Sequence, residues 1–201
     1  MEECKSATKR TYNLHYEEFE EKFTRSFQNT IKEADKFLAN LNGKKIIDLG
    51  CGSGNHAQYF QKKGFDVLCI DYSEKMLELC KKRDLKTKLI DIEDLQLPES
   101  STNGIWAYAC LLHIQKEKIP KIAEKFTEIL KAKGLVGLAL KEGEDEGFVE
   151  YSKHPFTQRW VSYFQDEEVR ELFGKDFELI NFSRTKGEDC WFLNYLLRLK
   201  D

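Results

Sequence analysis

No CxxC pair occurs in this sequence: its six cysteines, Cys4, Cys51, Cys69, Cys80, Cys110 and Cys190, are scattered over 201 residues. Four of them lie in apolar stretches that suit a reduced, buried thiol, so neither a disulfide framework nor a zinc site is indicated. There is no Pro/Gly/Ser-rich linker, internal repeat or low-complexity segment, and 41% of the residues are hydrophobic, which fits one globular domain with a sizeable core. No block of like charge stands out. The 32 basic residues are interspersed with 35 acidic ones, for a net charge of −3, which argues against a phosphate-tracking surface while leaving a local basic patch open. The opening MEECKSATKR has no apolar run of the signal-peptide kind, and no stretch approaches the ~18 apolar residues of a membrane span. A cytoplasmic protein with no membrane partner is expected. Metal assistance is unsupported, because no His/Asp/Glu cluster has ligand spacing.

What is present is an alternation of strand and helix signals. Residues 11–41 carry Tyr12, Tyr16, Phe19, Phe23, Phe27, Ile31, Ala34, Leu38 and Leu41 at three- and four-residue steps, which predicts helix with a break near Thr24–Ser26. Strands are predicted at 44–49, 65–71, 86–92, 105–110 and 134–140. Helices are predicted at 54–63, at 117–131, at 166–173 and from an N-cap at Ser73 to about residue 82. The runs FELINFS and CWFLNYLLRL, joined by RTKGED, read as a closing hairpin. Alternating strands and helices imply an α/β fold whose parallel sheet is covered by helices on both faces.

The stretch IIDLGCGSGN (46–55) places three glycines at alternate positions behind the first strand. Glycine there implies unusual dihedrals or a ligand against the main chain, at the sheet edge where such folds hold nucleotides. Asp71 lies 21 residues after Gly50, at the end of strand two, where its oxygens could accept from both ribose hydroxyls. Two ligands compete. The dinucleotide fingerprint wants glycine at its first, third and sixth positions, but the sixth is Asn55. Glycines at 50, 52 and 54, behind Asp48, suit a ligand without a pyrophosphate.

In combination these segments resemble the class I S-adenosylmethionine-dependent methyltransferases over nearly the whole chain. IIDLGCGSGNHAQYF, VLCIDYSEKML, LIDIEDL and NGIWAYACLLHI look like the family's first four motifs in order, and the closing hairpin resembles its sixth and seventh strands. The LLH segment and the hairpin look most like the small-molecule branch related to quinone- and amine-methylating enzymes. The resemblance implies a Rossmann-like, seven-stranded, mostly parallel sheet with an antiparallel closing hairpin. It divides one domain into an N-terminal helical cap (1–43), a cofactor-binding half (44–141), a lid-like loop (142–165) and a closing helix and hairpin (166–201).

For S-adenosylmethionine it implies that Gly50, Gly52 and Gly54 line the methionyl part and Asp48 reaches the ammonium. Asp71 would hold the ribose, Asp91 and the Ile92 amide would meet the adenine, and Tyr72 and Ile92 would flank its plane. Tyr108 would present a carbonyl near the sulfonium. TYNLHYEEFEEKF is similar to a family pattern in which a tyrosine, here Tyr12, caps the cofactor; the pattern's second tyrosine is Phe19 here, which puts any hydroxyl role at that position in doubt.

Catalysis would fall to Tyr12, shielding the sulfonium, and His113, orienting the acceptor or taking its proton, with Lys141, Glu142 and Tyr163 as other candidates for the proton. The 25 residues after strand five are too long for an ordinary connection and carry Lys141, Arg159, Trp160 and Tyr163, of which Lys141, Arg159 and Tyr163 would bind a carboxylate- or phosphate-bearing substrate. His56 suits capping its helix or touching the cofactor equally well. A small-molecule acceptor is the leading partner, with a tRNA or protein acceptor, or a non-catalytic cofactor-binding subunit, as alternatives; a monomer or homodimer is expected.

Overall fold

β1 (Lys45–Leu49) is a short apolar run whose last four residues are buried, so it can only be a central strand. In the computed structural model, which describes residues 2–151 and 154–201, it pairs in parallel with β2 (Asp66–Asp71) on one side and β4 (Thr102–Tyr108) on the other. β3 (Lys86–Leu89) extends the sheet beyond β2, and β5 (Leu130–Glu142) beyond β4. β9 (Trp191–Leu199) then runs antiparallel to β5, and β8 (Phe177–Lys186) antiparallel to β9. These seven strands are the expected mostly parallel sheet with its closing hairpin.

Helices cover both faces. α3 (Ile31–Asn40), α4 (Asn55–Lys62) and α5 (Glu74–Lys82) bury Phe37, Phe60, Leu77 and Cys80 with Trp106 and Leu135. α6 (Ile119–Ile129) and α7 (Asp166–Gly174) bury Ile122, Phe126, Val169 and Phe173 with Ile105, Val136 and Leu138 on the other face. The alternation of strand residues between the two clusters follows from the two-residue period of a strand.

The N-terminal helical region is divided into α1 (Glu2–Leu14), α2 (Tyr16–Ser26) and a tight turn at Phe27–Thr30 before α3, so residues 24–26, where the break is expected, are helical and the chain breaks instead at His15 and just beyond Ser26. Helix begins earlier than the apolar spacing predicts. Ser73 caps α5: its hydroxyl accepts from the Met76 amide (3.2 Å) and donates to Asn13 Oδ1 (2.7 Å), tying α1 to the sheet. Ser73→Ala is expected to cost about 1–2 kcal/mol, seen as a fall of about 2–8 °C in a thermal melt.

The larger correction concerns residues 142–165. They do not form a lid-like loop but a hairpin, β6 (Glu146–Tyr151) and β7 (His154–Phe164), paired from Glu146↔Ser162 to Glu150↔Gln158. β7 joins β5 in parallel at Lys141↔Tyr163 and Glu142↔Phe164, beyond the point where β4 ends opposite Ala139. The hairpin therefore stands over the carboxyl end of β4. Trp160 N donates to Thr8 Oγ1 (2.8 Å) and Thr11 Oγ1 to the Gln158 carbonyl (2.8 Å), so α1 and β7 close over that edge together. The physical reason is composition: Thr157, Trp160, Val161, Tyr163 and Phe164 are β-branched or aromatic residues that favour strand, a signal masked by flanking charges. No helix among the described residues is long and apolar enough to cross a membrane.

Candidate functional site

The carboxyl edge of the sheet, roofed by α1, α2 and the hairpin, encloses a cavity of ≈ 580 Å³, within the ~300–1,000 Å³ usual for small-molecule sites. One end is built by the glycine loop. The amides of Gly50 and Cys51 donate to the Ile70 carbonyl (2.7 and 3.1 Å), which folds the loop over the end of β2. Gly50 has φ +63, and a Cβ there would lie 2.3 Å from Cys110 Cβ, so only glycine can stand in that position.

Asp71 is buried and holds this loop: Oδ2 accepts from the Gly52 amide (3.0 Å) and Oδ1 from the Ser73 amide (2.9 Å). Burial nonetheless raises its pKa from 3.8 to about 6, against the pull of those amides. An ionised carboxylate accepts about four hydrogen bonds, so two sites remain for a ligand's hydroxyls. Asp48 lines the same end, 3% exposed, with Oδ2 buried and without a hydrogen-bond partner; burial holds its pKa well above the usual carboxylate value. An orphaned carboxyl oxygen beside bare backbone is what an ammonium-bearing tail would satisfy.

Of the other expected cofactor residues, Gly52, Tyr72, Asp91, Ile92 and Tyr108 line the cavity. Asp91 is already engaged, by the Glu93 amide at Oδ1 (2.9 Å) and by Lys5 Nζ at Oδ2 (2.7 Å), so the adenine end would include a lysine. The Tyr108 ring stacks on Trp106 (centroids 5.0 Å apart), which leaves its main chain at the wall. Gly54 departs from expectation: it is not a wall residue. It precedes α4 at φ +81, and a Cβ would stand 2.9 Å from Cys80 Sγ and 2.7 Å from Leu85 Cδ1, so packing against α5 and its following turn requires the glycine. His56 does not cap α4; Nε2 meets Thr30 Oγ1 (2.8 Å), and burial lowers its pKa to about 3.

The far end brings together residues distant in sequence. The Tyr12 hydroxyl and His113 Nε2 are 2.8 Å apart across 101 positions, and His113 Nδ1 is 2.6 Å from the Trp160 carbonyl. A carbonyl only accepts, so Nδ1 carries the proton and Nε2 accepts from Tyr12. Burial first, and Arg159 second, lower the His113 pKa to about 3; burial raises that of Tyr12. The imidazole is neutral with both nitrogens committed, which does not suit the expected proton acceptor.

Arg159 Nη1 donates to Tyr12 Oη (3.3 Å), and its guanidinium lies over the rings of Tyr12, Phe19 and Tyr151 at 5.7, 5.2 and 5.5 Å. Phe19, where a second tyrosine was looked for, is 1% exposed and serves as a ring under this cation. Lys141 also lines the cavity, its pKa lowered by burial, with Arg159 and Lys22 adding repulsion. Neither Arg159 nor Lys141 forms an ion pair among the described residues, and Arg159 Nε is buried without a hydrogen-bond partner. Tyr163 does not reach the cavity: it packs beside Gly143, with Lys141 Nζ 5.8 Å from its ring centroid. Trp160 likewise contributes only its carbonyl, its indole donating to Ser162 Oγ (3.0 Å).

Sequence reasoning missed Phe23, Ala109 and Phe192 at the wall. Phe23 belongs to the aromatic stripe that reads as helix packing, yet its ring would touch a Cβ on Gly52 at 3.0 Å. Ala109 has φ +57, a conformation L-residues rarely adopt, at the end of β4. No sequence signal marks it.

A family model described as a methyltransferase domain matches residues 46–134. Among curated proteins, the probable S-adenosyl-L-methionine-dependent methyltransferase TehB of Haemophilus influenzae is 25% identical over 177 residues, covering 84% of this chain and 59% of that protein. The tRNA N(3)-methylcytidine methyltransferase trm140 of Schizosaccharomyces pombe is 24% identical over 195 residues, covering 78% of this chain and 62% of that one. The chain thus spans less than two thirds of the length of these relatives. The structure of 1,6-didemethyltoxoflavin-N1-methyltransferase from Burkholderia thailandensis, with bound 1,6-didemethyltoxoflavin and S-adenosylhomocysteine, superimposes with a TM-score of 0.81 over 100% of this chain and 90% of that one. At 17% identity the likeness is one of fold.

Proposed function

The chain belongs to the class I S-adenosylmethionine-dependent methyltransferases, and from that premise we propose that it methylates a small anionic acceptor. When bound, S-adenosylmethionine supplies a methyl group already activated by its sulfonium. Asp48 would hold the ammonium, Asp71 the ribose, and Tyr72, Asp91 and Ile92 the adenine end. What the protein must then do is align the acceptor and exclude water. The roof of α1 and the hairpin excludes water, and Tyr12, fixed by His113 and Arg159, gives the cavity a rigid wall.

The observation that carries the acceptor class is the pair of cations, Arg159 and Lys141, facing the cavity without an ion pair among the described residues. Partly buried charge left uncompensated is costly, and an anionic acceptor would compensate it. His113 is not poised to take a proton, since it is neutral with both nitrogens engaged. The acceptor atom would therefore arrive ionised, or lose its proton to water after transfer. A tRNA acceptor is the second reading, supported by the trm140 likeness, but the net charge of −3 gives it little electrostatic help.

Labelled-methyl transfer into a fractionated metabolite extract tests the proposal directly: label should appear in small anions. Label in tRNA, with binding that falls steeply as salt rises, would overturn it. With the acceptor in hand, Arg159→Ala is expected to raise its KM about 10- to 150-fold, the range for hydrogen bonds to a charged group, while cofactor affinity stays within about threefold. An unchanged KM would remove Arg159 from the acceptor site.

A further inference from the structure

Behind the glycine loop, on the side away from the acceptor, three sulfurs converge from three elements: Cys51 from the loop, Cys69 from β2 and Cys80 from α5. We propose that Cys51, Cys69 and Cys80 form a binding site for a single thiophilic d¹⁰ metal ion of the zinc(II) or copper(I) type.

All three Sγ atoms lie within 4.8 Å of one another, and Cys51 and Cys80 are 3.7 Å apart. Sulfurs bound at about 2.3 Å around one ion in a trigonal plane stand about 4 Å apart, so little movement separates the observed cluster from a ligand set. Three thiolates with no oxygen or nitrogen ligand select soft ions over magnesium or calcium. The cluster is preorganised. Cys69 and Cys80 are fully buried, Gly54 packs against Cys80 where a Cβ would collide, and Cys80 Sγ contacts the Gly52 carbonyl at 3.3 Å.

Cys51 is partly exposed and lines the cavity, which gives an ion its entry path. Binding forms three metal–sulfur bonds and releases to solvent whatever protons the three thiols still carry, up to three per ion. The same ion would tie the glycine loop to β2 and α5 and take the Cys80 donor away from the Gly52 carbonyl. This site stands independently of the acceptor proposal, because it uses none of the residues at the far end.

Anaerobic titration of the reduced full-length chain with cadmium(II), a probe whose thiolate complexes absorb in the near ultraviolet, tests the site. The expected result is a band that saturates at one equivalent with proton release, followed by displacement of cadmium by copper(I). Cys80→Ser should weaken binding about 100-fold or more. Cys51→Ser, at a partly exposed position, should do the same in protein whose circular dichroism shows it folded, and Cys4→Ser should change nothing. The absence of a saturable band, or a band of equal strength in the Cys51 and Cys80 variants, would overturn the proposal.

Discussion

Asp71→Ala is expected to weaken S-adenosylmethionine binding by ~1.5–3 kcal/mol, about 10- to 150-fold, because the lost hydrogen bonds are to a charged acceptor. The effect should depend on pH in a way that identifies the carboxylate. Burial places the Asp71 pKa at about 6, above its ordinary 3.8, so in the free protein the ionised form is disfavoured. A raised acid stabilises the fold fully at low pH and loses that contribution as pH rises through the folded value. The free protein therefore carries about 3 kcal/mol of strain above about pH 6, relieved as pH falls towards 4.

With the ribose held at Asp71 as proposed, its hydroxyls would reverse the preference, since they would donate to the ionised oxygens. Cofactor affinity should fall about tenfold per pH unit below about 6 and level off above it. Asp71→Asn, which keeps the shape and one acceptor, should flatten that dependence. Calorimetric titration from about pH 5 to about pH 8 reads both quantities. Wild-type affinity that is flat across pH 6, or unchanged in Asp71→Ala, would put the ribose elsewhere.

At the other end of the cavity, Tyr12→Ala is expected to be severe and Tyr12→Phe mild, because the ring forms the wall and the hydroxyl fixes its position. His113→Ala should lower kcat at least ~10-fold while leaving cofactor affinity within about threefold, roughly 0.65 kcal/mol. The loss would act through Tyr12, whose hydroxyl would lose its acceptor, which would make His113 a positioning residue. The pH profile distinguishes this from proton transfer. With His113 held near pKa 3 by burial, kcat at saturating cofactor should be flat through the range in which free histidine titrates. A limb near pH 6.5 that disappears in His113→Ala would make His113 the base.

How far the sequence reveals such a site depends on where each residue stands. Asp48, Gly50, Asp71, Asp91 and Tyr108 sit at or just past strand ends, so alternation plus the glycine loop places them on one edge without further information. That Tyr12 and His113 belong to one site is legible only through the resemblance, whereas apolar periodicity alone puts Tyr12 only on a helix face. The hairpin at 146–164 is hidden by KEGEDEG, whose charges suggest solvent, although FTQRWVSYF is rich in the β-branched and aromatic residues that favour strand. The Cys51, Cys69 and Cys80 cluster is invisible to motif reading, because its members come from a loop, a strand and a helix brought together by the sheet. Gly54 carries a packing constraint that sequence cannot separate from ligand contact.

The roof has a kinetic consequence. β7 is joined to the main sheet by two paired positions on β5, and beyond its pairing with β6 its main chain is tied to the side chains of Thr8 and Thr11 on α1 and of His113. A segment paired with the main sheet at only two positions is a candidate for opening below the free energy of global unfolding. α1 and the hairpin share those bonds, so breaking them releases both walls over the cavity together. Residence time for anything enclosed is then set by this one cooperative opening event. Catalytic throughput would be limited by the frequency of that opening whenever methyl transfer itself is faster.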